Sequence, residues 1–155
     1  MKQTTLCFLV DADRICLAMK KRGFGTGKWN GVGGKVHDCE TIGQAAVREV
    51  HEEIETIVQV EHLEPAGVIQ FEFIGKPDWA QECHVFIVRT WHGDPAESEE
   101  MAPRWYTFDT IPYGEMWVDD PLWLPQVLGG RYIKATLVLN ETGDEIISQT
   151  IAETP

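Results

Sequence analysis

No apolar run of the length needed to cross a bilayer, about 18–20 residues, occurs in this 155-residue chain. A membrane span is therefore not expected. Cysteine is sparse. Cys7, Cys16, Cys39 and Cys83 are scattered with no CxxC pair, which fits reduced thiols in a cytoplasmic protein better than a disulfide framework. The N-terminus lacks a signal-peptide pattern, because Met1 to Thr5 runs straight into a strand-like segment. Basic charge is in deficit: 13 Lys and Arg against 25 Asp and Glu give a net charge of −12. That argues against sustained binding to nucleic-acid polymer, where affinity rests on neutralising phosphates. Internal repeats, linkers and low-complexity segments are also missing. A single domain spanning residues 1–155, large enough for a genuine core, is expected.

What is present centres on Gly34, Glu40 and the run Arg48-Glu49-Val50-His51-Glu52-Glu53. Thr41 with Gln44 reads as a capping box, which predicts a helix over Ile42–Ile54 with an apolar stripe of Ala46, Val50 and Ile54. At about 100° per residue, Glu49, Glu52 and Glu53 share one face of that helix. Like charges at this spacing repel by a few tenths of a kcal/mol, and a hard divalent cation with oxygen ligands converts the cost into a site. Glu49 and Glu53 border the apolar stripe, and Arg48 stands one turn before Glu52, able to hold its carboxylate. The alternative is a solvated acidic face. Just upstream, Trp29-Asn30-Gly31-Val32-Gly33-Gly34-Lys35 is a glycine-rich stretch whose backbone can approach a ligand closely. Lys20, Lys21, Arg22, Lys28 and Lys35 form a local basic patch without acids, suited to a small, highly charged anion.

Around this core the pattern predicts strands at Thr4–Val10, Ile15–Lys20, near Lys35-Val36, Ile57–Glu61, Ala66–Ile74, Cys83–Trp91 and Arg104–Phe108. Asp120-Pro121 reads as an N-cap and first-position proline, opening a helix to about Leu128. A closing hairpin joins Tyr132–Leu139 to Glu145–Ile151. Hairpins dominate, so a mixed sheet with about two helices, α+β, is expected and not a doubly wound parallel sheet.

The pattern Gly34, Glu40, Arg48, Glu49, Glu52, Glu53 resembles the Nudix box, the metal-binding signature of the Nudix hydrolases. One departure is Glu55, where the family usually has glycine; a non-glycine residue in left-handed conformation costs about 1 kcal/mol. The resemblance implies an α/β/α sandwich and hydrolysis of a nucleoside diphosphate linked to another group. It implies the Gly33 carbonyl and Glu49, Glu52 and Glu53 as ligands of Mg²⁺, with Mn²⁺ a substitute, and a further acid from a separate loop, for which Glu100 is the candidate. Bridging a diphosphate, magnesium neutralises charge and positions water for in-line attack. Either Glu53 or Glu100 serves as general base, with Glu52 and Arg48 in the same machinery.

The segments Met19 to Gly25, Trp29 to Gly31, Phe71 to Phe73, His84 to Phe86 and Met116 to Asp120 are similar to the MutT-homologue purine triphosphatases of this family. They resemble the group acting on 8-oxo-dGTP more closely than the generic family, Val118 in place of proline being a departure. Phe24, Phe71, Phe73 and Trp117 can wall a flat base, core packing being the alternative for each. Asn30 offers a donor and an acceptor to a purine edge. Burial and mutual repulsion raise the pKa of the adjacent Asp119 and Asp120, so that one can donate while the other accepts, which accommodates both oxidised guanine and oxidised adenine. Capping would explain Asp120 alone. The resemblance adds Thr5, Lys20, Val32, Gly33, Gly34 and Lys35 as neighbours of the nucleotide. The expected activity is release of monophosphate and diphosphate from 8-oxo-dGTP or 2-oxo-dATP, by a monomer in the cytoplasm that sanitises the nucleotide pool. Methylated purine nucleotides, ADP-ribose, a dinucleotide, or a non-catalytic nucleotide-binding module are the competing assignments.

Overall fold

The computed structural model describes residues 1–155. The chain builds one mixed sheet with a helix on each face. Strands β1 (Lys2–Asp11) and β2 (Arg14–Lys20) form the first hairpin, turning at Ala12 in left-handed conformation. A two-residue β3 (Trp29–Asn30) precedes α1 (Ile42–Ile54). Then come β4 (Leu63–Phe73), β5 (Gln81–Val88), β6 (Met101–Thr107), α2 (Asp120–Leu128), β7 (Tyr132–Leu139) and β8 (Ile146–Thr154). The sheet order is β3-β2-β1-β5-β4-β7-β8, with β6 on the other side of β2. Two neighbour pairs are parallel, β1 with β5 and β4 with β7, and the others antiparallel.

Two separate apolar cores make this a three-layer α/β/α sandwich, as expected. Seventeen buried residues, including Phe8, Leu17, Ile69, Leu137 and α2's Trp123, Leu124 and Val127, pack one face of the sheet. Eleven, including Cys7, Leu9 and α1's Ala46, Val50 and Ile54, pack the other. Helix α1 begins at the predicted capping box, Gln44 N–H donating to Thr41 Oγ1 (3.1 Å) and Thr41 N–H to Gln44 Oε1 (2.9 Å). It ends at Glu55 with φ 57°, so the departure from glycine is carried as left-handed backbone.

Two expected strands are not strands. Ile57 makes an isolated bridge with His92, and Val60–His62 coils into a 3₁₀ turn. Ile57 and Val60 are half exposed; without a second neighbour to pair with, their β-branched side chains do not suffice to extend a ladder. Lys35 likewise forms only a single bridge, to Thr4. No helix is long and apolar enough to cross a membrane.

Candidate active site

The glycine-rich stretch runs directly against β1. The Gly34 carbonyl accepts from the Thr5 amide (2.9 Å), and Val32 exchanges both backbone bonds with Cys7. A Cβ on Gly33 would lie 1.9 Å from the Thr5 carbonyl oxygen, so only glycine fits there. At Gly34 a Cβ would meet the Glu49 carboxylate at 2.6 Å. The loop therefore lies on the helix carboxylates with no side chain between. Thr5 is buried, its hydroxyl near the Gly34 amide (3.4 Å).

Arg48 ties this region together. It donates to both Glu40 oxygens (2.7 and 3.0 Å), to Glu49 (2.9 Å), to Glu52 one turn on (3.2 Å) and to the Lys35 carbonyl (3.0 Å). Its guanidinium holds the Glu40 carboxyl down at about 2. Glu53 differs. It receives a single long bond from the Gly33 amide (3.3 Å), and burial, then the Glu49 charge, push its carboxyl up to about 8. The Gly33 carbonyl accepts no hydrogen bond from the chain.

Above Glu53 opens a cavity of about 250 Å³, extending from Glu53, Lys20, Gly33 and Gly34 to Asp119 and Asp120. Phe24, Phe71, Phe73 and Trp117 all line it. Phe24 lies 5.0 Å from Trp117 and 6.4 Å from Phe73, ring centre to ring centre, with Trp79 joining the same cluster. Trp117 is gripped by two glycines of positive φ. A Cβ on Gly25 would meet its ring at 3.1 Å and one on Gly143 at 2.6 Å. Asn30 lines the cavity with its Oδ1 engaged by the Gly31 amide (2.8 Å), leaving Nδ2 as its unpaired group.

At the far end, Asp119 accepts from the Trp123 indole (2.8 Å) and is 1% exposed; Asp120 is 2% exposed. Burial raises both carboxyls, Asp120 the more, with the Asp119 charge adding to it. The expected capping role of Asp120 is not observed. Asp119 occupies the N-cap with no side-chain cap bond, and Asp120 is the first helical residue. Its Oδ2 is buried with no partner. A buried acceptor left unpaired costs about 1–3 kcal/mol, which a ligand edge would recover.

Several expectations need correction. Val32 packs into the α1 core and offers no side chain to the cavity. Lys35 also does not line it; Glu49, Glu52 and Arg48, expected as metal ligands and catalytic residues, stand on α1 outside its wall. The basic patch does not act as a unit: Lys21 pairs with Glu97, and Arg22 with Glu100 (2.6 Å) and Glu99 (3.6 Å), leaving only Lys20 and Lys28 on the cavity wall. Glu100, held by Arg22 in its ionised form, is not on the cavity wall, though its charge reaches Glu53. No three His, Cys, Asp or Glu side chains form a ready-made ion cage. Unforeseen lining residues are Leu6, Gln81, Cys83, Met101 and Leu139 among others. They carry no motif; the parallel pairings of β1 with β5 and β4 with β7 bring in Leu6, Gln81, Cys83 and Leu139, and the antiparallel pairing of β2 with β6 sets Met101 beside Lys20.

The sequence pattern defining the NUDIX domain matches residues 2–127. The chain belongs to the Nudix family. Among its relatives, the "oxidized purine nucleoside triphosphate hydrolase" of Danio rerio is 50% identical over 127 residues, 82% of this chain and 80% of that protein. The protein of the same description from Mus musculus is 46% identical over 124 residues, 80% of this chain and 78% of that one. A MutT mutator protein from Bacillus halodurans, solved by crystallography, superposes with a TM-score of 0.82 over 97% of both chains. Its 23% identity bears on the fold alone.

Nudix hydrolases generally use divalent metal ions, and the residues here fit one. The donors are hard oxygens: a free Gly33 carbonyl, and carboxylates at Glu49 and Glu53 set against backbone that has no side chain to fill the gap. The raised Glu53 carboxyl marks a place where negative charge lacks its counterion.

Proposed function

We propose that this Nudix domain, spanning residues 1–155, hydrolyses oxidised purine deoxynucleoside triphosphates such as 8-oxo-dGTP and 2-oxo-dATP. The products are the monophosphate and diphosphate. The observation that carries the proposal is Asp120: a buried carboxyl oxygen without a partner, at the end of an aromatic-walled cavity whose other end is Glu53. The 46–50% identical relatives described as oxidized purine nucleoside triphosphate hydrolases support the same substrate class.

Phe24, Phe71, Phe73 and Trp117 enclose the base, burying its apolar faces. Asp119 stays an acceptor while bonded to the Trp123 indole, and neutral Asp120 donates or accepts as the base requires. Asn30 donates through Nδ2, and Lys20 counters nucleotide negative charge from the cavity wall. The Gly33 carbonyl with Glu49, Glu52 and Glu53 would hold Mg²⁺, or Mn²⁺ in its place. Bound there, the ion supplies charge neutralisation on the diphosphate and activation of water. Arg48 positions Glu49 and Glu52 relative to the glycine loop. Glu53 accepts the proton of the attacking water; its support is that it alone of the helix glutamates lines the cavity, whereas Glu100 remains on Arg22. The protein acts as a cytoplasmic monomer on free nucleotides, consistent with a net charge of −12 that disfavours polymer binding.

The test is a turnover panel with Mg²⁺: 8-oxo-dGTP, 2-oxo-dATP, methylated purine nucleotides, ADP-ribose and a dinucleotide, with unmodified dGTP as control. Oxidised purines should have the highest kcat/KM, giving diphosphate and monophosphate. Preference for ADP-ribose or a dinucleotide, or no metal-dependent release at all, would overturn the assignment.

A further inference from the structure

Two cations line the cavity, and the phosphate end accounts for only one of them. Lys28 is half buried, and no ion pair within the chain engages it. Its Nζ lies 5.5 Å from the centre of the Trp117 ring. Its backbone is fixed on both sides, the amide donating to Gly25 and the carbonyl accepting from Lys20. The same loop presses Gly25 onto Trp117. A lysine with its ammonium near the Trp117 ring and no ion pair within the chain shares the cavity with a buried pair of carboxyls that also has none.

We propose that Lys28 is a positioning and specificity residue of the base pocket: its ammonium steadies Trp117 and acts as counterion to the Asp119–Asp120 pair. The Lys28 charge favours ionisation of Asp120, against burial and the Asp119 charge. The other titratable groups facing the pair are Tyr113, from the turn before α2, and Cys83 of β5, both uncharged near neutrality and both raised chiefly by burial. Lys28 is thus the cation that sets the pH range in which one aspartate donates and the other accepts. The same charge also reaches Asp144 in the β7–β8 turn, whose Gly143 lies against Trp117.

This inference rests on the oxidised-purine assignment, and two readouts separate their failures. In the unliganded protein, the ¹⁵N–¹H indole signal of Trp123, bonded to Asp119, reports titration of the pair without any turnover. Lys28→Met should move its midpoints upward by about half a pH unit or more, and Lys28→Arg should restore them. In turnover of 8-oxo-dGTP, Lys28→Met should raise KM by about tenfold, the loss of a desolvated cation–ring contact and a charge partner. It should change kcat less than twofold and displace the kcat/KM profile to higher pH. In an Asp120→Asn background the pH displacement should vanish. An unmoved Trp123 titration, a displacement that survives Asp120→Asn, or a loss confined to kcat would each overturn the role of Lys28. Normal Lys28 effects on the titration, with no turnover of oxidised purines by the unaltered protein, would overturn the substrate assignment alone.

Discussion

The two helices begin with side chains that bind backbone amides well, and use them in opposite ways. At α1, Thr41 and Gln44 satisfy each other's amides, and the carboxylates that follow are matched to Arg48. At α2, Asp119 and Asp120 leave the helix amides uncapped, and one carboxyl oxygen has no partner at all. The carboxylates around Arg48 keep their charge beside a guanidinium, whereas those at the start of α2 are raised chiefly by burial. Asp119 turns its carboxylate to the Trp123 indole instead of capping, and the Asp120 oxygen left without a partner is open to a group from outside the chain.

The largest test of the contrast is at the catalytic end. Glu53→Gln should lower Mg²⁺-dependent diphosphate release about 10²–10⁴-fold, with circular dichroism unchanged. Asp120→Asn should lower kcat/KM for oxidised purines by about 10²-fold or more while leaving metal binding by calorimetry intact, because a buried pocket tuned to a substrate's hydrogen bonds discriminates strongly.

Next is stability against pH. Glu53 holds its proton up to about 8 when folded, against an ordinary value of 4.5. Between those values the native state binds a proton that the unfolded chain has lost, so stability falls as pH rises. Asp119 and Asp120, also raised, act in the same direction. Glu40, at about 2, acts oppositely, its contribution present above 4.5 and lost as pH drops toward 2. Urea titrations in chelator should therefore show stability decreasing from pH 5 to 8, by about 1.4 kcal/mol per pH unit for each such group at most. Mg²⁺ should reverse much of the decline by binding only the folded state, and Glu53→Gln should flatten it.

The smallest effects are local to α1. Thr41→Ala should cost about 1 kcal/mol by urea unfolding with turnover retained. Glu55→Gly should stabilise by about 1 kcal/mol, relieving left-handed backbone at the helix exit.

These differences also explain what was legible in the sequence. The Thr41–Ile54 helix, its cap and Arg48's hold on Glu52 are set by neighbours three and four apart, so spacing alone reveals them. The aromatic walls and the aspartates are visible as residue types, but their common cavity is not: Phe71 of β4 and Trp117, from the segment before α2, are brought to one cavity only by the tertiary fold. For Asp120 local chemistry favours capping, the alternative to a base contact, and tertiary burial outweighs that preference. Lys21 and Arg22 seemed available for a ligand because their partners, Glu97 to Glu100, lie in a distant loop. Lys28 gave no signal beyond its charge.

The pairing of β1 with β5 places Thr4 beside Cys83 and Thr5 beside His84 in the middle of the sheet. Such a junction between far-separated segments is slow to form, since the intervening loop must close before any contact rewards it. The β1–β2 hairpin and α1 can organise early, but the pocket floor comes into being only when this central seam locks. A chain in which that seam has not closed lacks the floor of the cavity and holds its acidic helix with nothing to aim it at.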